Sequence, residues 1–442
     1  MDKGIAIKNR ILSLLEETRD DKRLPSARML AGDFNVSFQF VQRVVDALAD
    51  SGVIRVFPRS GMEAHPYWRK RIISGVFCVP EYSWFGDRLK RKLQVRFPEI
   101  YATSAFEHAP MEISVTHQLI SHHNDYCELG NMLASVLPDR SAIFSRMLDA
   151  GKFGGGLCGI PLLFSPKVMI LNKKLFDACG CPLPSEDWTW SEFEETVCRL
   201  AKKLAPFRAF GTWCDIIEWM NFVTVNGGCI YDEENNICLD APESLEALKF
   251  FYTLVQRAKV PDEYVGKYNH IVDFRDGNVA ISSGQRQILS NLIQTGAFRK
   301  EELVLRPMPV KERGTAPRSM LAASFFCVRQ ECVNMTLARD LLEFLLSEEF
   351  QYDVIGAIKC GIPVRCDSAR RSFDTDDPHD AVFARTLSHV VPKYNIPNPV
   401  SYTLLSRAMA SALNGSFSEL ETNIKELSDT LRSLKRFGID AG

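Results

Sequence analysis

Gln39, Gln42 and Arg43 fall on the polar side of a helix whose apolar residues repeat with helical spacing. A glutamine amide matches the donor and acceptor on an adenine edge, and a guanidinium matches O6 and N7 of guanine, so this trio has the chemistry to read a major groove. A merely solvated helix face carries the same residue types. The helix itself is set by Val41, Val44, Val45 and Leu48 at i, i+3, i+4 and i+7, with Ser37 as its N-cap and Gly52 at its C′ position. Upstream, Ile7, Ile11, Leu14 and Leu15 predict a first helix. Leu24-Pro25-Ser26 stops the chain and caps a second helix over Ala27 to Phe34, with Met29, Leu30 and Phe34 facing inward and Asn35 making the turn. Three short helices with a tight turn before the last form a helix-turn-helix pattern. Val53 to Phe57, Pro58-Arg59-Ser60-Gly61 and Met62 to His65 then read as strand, turn and strand.

The run from Leu24-Pro25-Ser26-Ala27-Arg28 through Val36-Ser37, Asp46-Ala47-Leu48 and Gly52-Val53-Ile54 to Gly61 resembles the GntR-type winged helix-turn-helix. That resemblance implies DNA contacts from Ser26, Arg28, Ser37, Phe38, Gln39, Gln42, Arg43, Arg59, Ser60 and Gly61. Phe38 and Phe40 depart from it, standing where the family places a basic residue and a threonine, which implies fewer phosphate contacts. On this reading residues 1–66 are a DNA-binding domain and 67–71 a linker.

At 442 residues the chain is long enough for two or three domains, and its 46% hydrophobic and 24% charged residues are those of a folded globular protein. No stretch has the roughly 18 uncharged apolar residues that a bilayer span needs, and Met1 to Arg10 holds no apolar leader. The thirteen cysteines lack framework spacing and sit mostly in apolar runs such as Val76-Phe77-Cys78-Val79, the pattern of reduced thiols in a cytoplasm. Neither Cys179 and Cys181 nor His122-His123 has the partners of a metal site. Residues 1–71 carry 13 Lys/Arg against 9 Asp/Glu, which leaves −6 for the rest. A basic head on an acidic body suits a head that approaches phosphates.

Ile72 to Val79 reads as the buried first strand of a new domain. From there, Arg96-Phe97-Pro98-Glu99-Ile100, Gly159-Ile160-Pro161-Leu162, Met169 to Phe176, Trp190-Ser191-Glu192-Phe193, Phe274 to Ile281, Ala338 to Leu346 and Gly361-Ile362-Pro363-Val364 occur in an order that resembles family 1 extracellular solute-binding proteins, the group containing maltose-binding protein. The resemblance covers roughly residues 75 to 435 and is weakest between 100 and 150. It implies an α/β, two-lobed, type II periplasmic-binding-protein-like domain over 72–442. Its lobe 1 would comprise about 72–166 and 280–323, and its lobe 2 about 170–278 and 328–442. Aromatic faces with carboxylates, amides and arginines are what grip polyols. Trp213, Asp215, Glu218 and Trp219 cluster where that family presents such groups, and Arg286 and Tyr402 stand near family cleft positions. Trp190 continues into the apolar face of Phe193, Val197 and Leu200, so it is expected to pack.

The combined expectation is a cytoplasmic, ligand-responsive transcription regulator. It would be a homodimer on a double-stranded DNA operator, with a carbohydrate bound between the lobes, no cofactor, no metal and no membrane contact. An alternative is a solute-binding receptor of a transport system carrying a vestigial head. No phosphate loop, zinc motif or nucleophile elbow points to an enzyme, although a carbohydrate hydrolase would show two carboxylates about 5 to 9 Å apart.

Overall fold

The computed structural model describes the chain apart from residues 1–2, 18–22, 51–52, 58–60, 67, 69–74, 80–84, 98–99, 104–108, 213–215, 259–269, 333, 392–395, 397–398, 415–416 and 438–442. Gly52, most of the expected linker and the start of the Ile72 strand therefore lie outside the described residues. Two compact units emerge, one of Met1–Ile113 with Phe326–Leu342, the other of Ser114–Phe325 with Glu343–Gly442.

The first unit begins with α1 (Lys3–Glu17), α2 (Ala27–Asp33) and α3 (Phe38–Asp50), followed by the hairpin of β1 (Ile54–Phe57) and β2 (Gly61–Ala64). Ser26 Oγ accepts from Met29 N at 3.3 Å and Ser37 Oγ accepts from Phe40 N at 3.2 Å, so both expected caps form. Asn35 takes the left-handed backbone of the turn at φ 49°. Ile7, Ile11, Leu15, Leu30, Val41, Val45, Leu48 and Met62 bury together, and Leu24 N donates to Met62 O at 2.9 Å to close the hairpin over them. Met29 was expected inside but is 55% exposed, because Ala27, Leu30 and Ala31 fill the inner face of so short a helix.

Further along the same unit, β3 (Val76–Cys78), α4 (Gly86–Arg96) and β4 (Tyr101–Thr103) form a strand-helix-strand crossover in which Val76 pairs with Tyr101 in parallel. β5 (Met111–Val115) pairs with β3 on its other side. Lys8 ties α1 to this sheet, donating to Ile100 O at 3.1 Å with its ammonium 3.8 Å from the centre of the Tyr101 ring.

In the second unit one chain segment runs directly from one sheet into another. β6 (Ile160–Pro166) and β7 (Val168–Asn172) are apolar and buried along their whole length, as strands covered on both faces must be. Only Lys167 separates them. α5 (Trp190–Ala201) opens on a capping box in which Thr189 N donates to Glu192 Oε2 at 2.7 Å. Trp190 packs as expected, stacked on Phe250 with ring centres 4.4 Å apart. Next come β8 (Phe210–Gly211), α6 (Ile216–Val225), β9 (Ile281–Gly284), α7 (Arg286–Gln294) and β10 (Leu303–Arg306). One sheet runs β8-β9-β7-β10, with Ile281 opposite Leu171 and Leu305 opposite Ile170. The other draws on β6 together with β11 (Ser319–Val328) and β12 (Ile362–Pro363), with Ile362 opposite Phe164.

This pairing corrects the expected division into lobes. β9 and β10 were expected with residues 72–166, yet they pair with β7, so 281–306 groups with 168–211. β12 was expected with lobe 2, yet it pairs with β6. Apolar patterning identifies a strand without naming its neighbour, and here the neighbours come from distant parts of the chain.

Phe193 measures how firmly this unit is packed, since it is fully buried with the Trp188 and Phe210 rings edge-on at 5.0 and 5.1 Å. Phe193→Ala should lower unfolding stability by about 3–5 kcal/mol through lost burial and an unfilled cavity. Urea titration of both proteins checks this; a loss below about 1 kcal/mol would contradict the packing described.

Candidate functional site

Lys167 stands at the passage from one sheet to the other, in the middle of a run that is otherwise apolar from Leu162 to Leu171 except for Ser165 and Pro166. Its backbone is clamped by Ser319 at the start of β11. Lys167 N donates to Ser319 Oγ at 2.8 Å, and the same hydroxyl donates to Lys167 O at 2.9 Å. Its side chain reaches α6, where Nζ donates to Glu218 Oε1. The other carboxylate oxygen accepts from Ser283 Oγ of β9 at 2.9 Å. One residue pair thus joins the crossing, the first turn of α6 and β9. On the next turn of α6, Asn221 Oδ1 accepts from Met320 N at 3.3 Å, adding a tie to β11.

Both charges are buried, with the Lys167 side chain 5% and the Glu218 side chain 7% exposed. Burial alone would raise the Glu218 carboxyl, but the Lys167 charge and the hydrogen bonds from Lys167 and Ser283 outweigh it and hold the group below the ordinary carboxylate range. His270 shares this environment. Burial pushes its imidazole down to about 4 against the upward pull of Glu218, so it is neutral at pH 7.

The expected ligand residues meet different fates. Glu218 lies at the crossing, facing the chain's own lysine. Trp219 is fully buried, a core ring whose indole N–H has no hydrogen-bond partner among the described residues. Arg286 is a framework residue rather than a cleft arginine. It is 1% exposed and donates to Asp380 Oδ1 at 2.8 Å, Ser372 O at 2.6 Å, Ser372 Oγ at 3.0 Å and Gly361 O at 3.2 Å. The Phe373 ring lies over its guanidinium at 4.4 Å. Tyr402 is half-buried on α8 (Pro399–Asn414), next to Ser401, whose hydroxyl accepts from Tyr231 OH at 3.0 Å. Trp213 and Asp215 lie outside the described residues, immediately before α6. Lys167, Ser283 and Asn221 were not among the expected site residues, although the resemblance implies that the chain crosses between lobes near residues 165–171 and 279–283; the available signal was a lone charge inside an apolar run.

On the head, Ser26, Arg28, Ser37, Phe38, Gln39 and Arg43 are exposed and Gln42 is half-buried, its amide donating to Asp46 Oδ1 at 2.7 Å. Arg28 lies 6.0 Å from the Phe38 ring centre and Arg43 lies 5.5 Å from that of Phe40, so both guanidiniums rest beside the chain's own aromatics. Gly61 is half-buried at the start of β2 with φ 99°, while Arg59 and Ser60 lie outside the described residues.

No family model matches the chain. An arabinooligosaccharide-binding protein of Halalkalibacterium halodurans is 22% identical over 283 residues, 63% of this chain, and this chain spans 62% of that relative's length. Among solved structures, the ABC substrate-binding protein Lmo0181 of Listeria monocytogenes in complex with cycloalternan superposes with a TM-score of 0.66. It is 17% identical, and the match covers 82% of this chain and 98% of that one. A putative oligosaccharide periplasmic-binding protein of Synechococcus sp. MITs9220, in complex with zinc, gives 0.65 at 14% identity, covering 83% and 100%. The chain therefore has a mixed α/β, two-lobed, periplasmic-binding-protein-like fold.

These findings correct the functional expectation. What the chain resembles are solute-binding proteins, and no model of the GntR type or any other matches. The identification of a winged helix-turn-helix head is thereby withdrawn, and with it the transcription regulator, the DNA operator, the homodimer and the expected base and phosphate contacts. The polar side of α3 is largely exposed, as a solvated helix face is. The cytoplasmic location is overturned in the same way, by likeness to binding proteins of transporters and of the periplasm.

Two outcomes test the crossing. Lys167→Met alone strands a buried carboxylate and should cost about 3–5 kcal/mol, whereas Lys167→Met with Glu218→Leu should recover most of that loss. Urea titration of the two variants would show equal losses if the pair were not coupled. The second outcome concerns acid. Above pH 6.5, His270 is neutral folded or unfolded and contributes nothing. As pH falls from 6.5 toward 4, the unfolded chain takes up a proton that the folded one refuses, so stability drops by up to roughly 3 kcal/mol. His270→Gln should flatten the stability profile in that window, and an unchanged slope would place the acid sensitivity elsewhere.

Proposed function

We propose that this chain is a solute-binding receptor of a transport system and that it takes up a sugar or oligosaccharide where it crosses between the two sheets of its second unit. One observation carries the reading. The resembling structures, both of binding proteins, are matched over 98–100% of their own lengths, which supports the same use of the fold here. The crossing geometry is consistent with it, because Lys167, Glu218 and Ser283 join both sheets at a single point. Hinged closure about such a point gives two states whose balance a bound solute shifts.

In this reading Trp213 offers an aromatic face to a sugar ring and Asp215 takes a pair of hydroxyls. Tyr402 adds a second aromatic edge. Glu218 serves a different purpose, since both its oxygens are engaged by Lys167 and Ser283: it holds the first turn of α6 in place. The relative that binds arabino-oligosaccharides makes that class of ligand the first to try.

Arabino-oligosaccharides, malto-oligosaccharides and simple pentoses, titrated into the purified chain, should yield at least one ligand that raises the melting temperature with concentration, as mass action requires. Against that ligand Trp213→Ala should weaken binding by about tenfold, the loss of one stacking contact worth roughly 1.4 kcal/mol. Isothermal titration measures both. Absence of any response across the sugars would sink the proposal.

A further inference from the structure

A cavity of about 210 Å³ lies beside α7, and none of the residues assigned to the sugar or to the crossing lines it. Its walls come from three places in the second unit: α7 with the nearby Lys300, the turn 357–359, and the start of the helix Pro378–Leu387. It is smaller than the roughly 300–1,000 Å³ of sites for drug-sized ligands, so its occupant must be small. Leu289, Ile293 and Ile358 give the lining an apolar part. Ser290 and Gln294 both donate to Ile358 O, at 2.6 and 2.7 Å, and so stiffen that part instead of offering donors to a solute.

The rest of the lining is charged. Asp377 Oδ2 accepts from both lysines, at 2.8 Å from Lys300 and 3.1 Å from Lys359, so two ammoniums stand side by side on one oxygen. Lys359 also donates to Asp380 Oδ2 at 2.6 Å, and Asp380 Oδ1 accepts from Arg286 at 2.8 Å. Asp377 Oδ1 is taken by His379 N at 3.0 Å. Every carboxylate oxygen is thus occupied, yet the cations Arg286, Lys300 and Lys359 outnumber Asp377 and Asp380 by one. His379 adds no charge at neutral pH, since burial holds its imidazole below the ordinary range. The donors are not used up either. An ammonium has three N–H groups, and among the described residues Lys300 meets one acceptor and Lys359 two. Their side chains are 47% and 37% exposed, so a solute can reach them. Behind them, Arg286 Nε and His379 Nδ1 are buried with no hydrogen-bond partner among the described residues, so the protein leaves polar capacity unspent on this side.

We propose that this cavity binds a small organic monocarboxylate, whose carboxylate bridges the Lys300 and Lys359 ammoniums while its hydrocarbon part lies against Leu289, Ile293 and Ile358. One negative charge balances the excess of one positive charge, and the spare ammonium donors become charge-assisted hydrogen bonds to the carboxylate oxygens. A dianion such as phosphate would overshoot that balance and leave the apolar lining facing water. A neutral molecule of the same shape would bury that lining but leave the ammoniums without their partner. The site is thus separate from the proposed sugar site in both place and chemistry.

Benzoate, its neutral isostere benzamide and inorganic phosphate, each titrated into the full chain by isothermal calorimetry at neutral pH, provide the test. Benzoate should bind saturably and lose affinity as salt is raised. Benzamide should give no binding heat, and phosphate should bind at least about tenfold more weakly than benzoate. Lys300→Gln should weaken benzoate by about tenfold, through loss of one charge-assisted hydrogen bond. Lys300→Arg, which keeps the charge, should retain binding, and Lys311→Gln, at a lysine paired with Glu246 outside the cavity, should leave it unchanged. Absence of benzoate binding, equal binding of benzamide, phosphate binding as tightly as benzoate, or equal affinities in the Lys300→Gln and Lys311→Gln proteins would overturn the proposal.

Discussion

The second unit is organised around a buried ion pair at the place where one chain segment passes from one sheet to the other. Lys167 has β6 on one side and β7 on the other, so wherever its side chain is fixed, both sheet ends are fixed with it. Glu218 does the fixing. Two charges about 4 Å apart attract by about 4 kcal/mol at an effective dielectric of 20, while withdrawing each from water costs several kcal/mol. These terms nearly cancel, so the pair contributes little to net stability and much to geometry. Ser283 and Ser319 complete the arrangement by occupying the second carboxylate oxygen and the lysine backbone.

Arg286 does a comparable job elsewhere in the same unit, and comparing the two explains why charge alone misled the sequence reading. Arg286 was expected as a ligand residue because it stands near a cleft position of the family that the sequence resembles. It instead spans from the start of α7 to Gly361, Ser372 and Asp380, segments 75 to 94 residues further along the chain. Five fixed donors make guanidinium suited to collecting distant carbonyls and a carboxylate at one point. Whether such a fork faces a solute or the protein's own backbone depends on what folds over it, and that information is in the tertiary contacts, not in the spacing of residues near Arg286.

Local structure was legible where a local rule decides it. Ser26 and Ser37 cap their helices, Asn35 makes its turn, Thr189 and Glu192 form their box, and Trp190 packs, because each outcome is settled within a few residues. The helical period likewise found Ile7, Ile11, Val41, Val45 and Leu48 in one core. It failed at Met29, where a helix of seven residues has too narrow an inner face for every apolar side chain. Strand partners were not legible. Nothing about the Ile281 segment says that it lies beside Val168–Asn172 instead of Ile160–Pro166, since both candidates are equally apolar. Trp219 shows the same limit at the site: an aromatic beside an acid has the composition of a sugar platform, and on an apolar helix that ring turned inward.

The functional correction has a related physical origin. Gln39, Gln42 and Arg43 could face DNA or water, since an exposed polar helix face is compatible with both, and their types alone carry no information about a partner. The likeness to binding proteins rests on something different: the succession of buried strands and helices that must pack for the two lobes to exist. At 14–22% identity most side chains have changed, so what persists is the packing that any substitution must respect, while polar groups around a ligand are free to be reset for each new solute. A buried lysine at a crossing belongs to the first kind of constraint because it holds the frame.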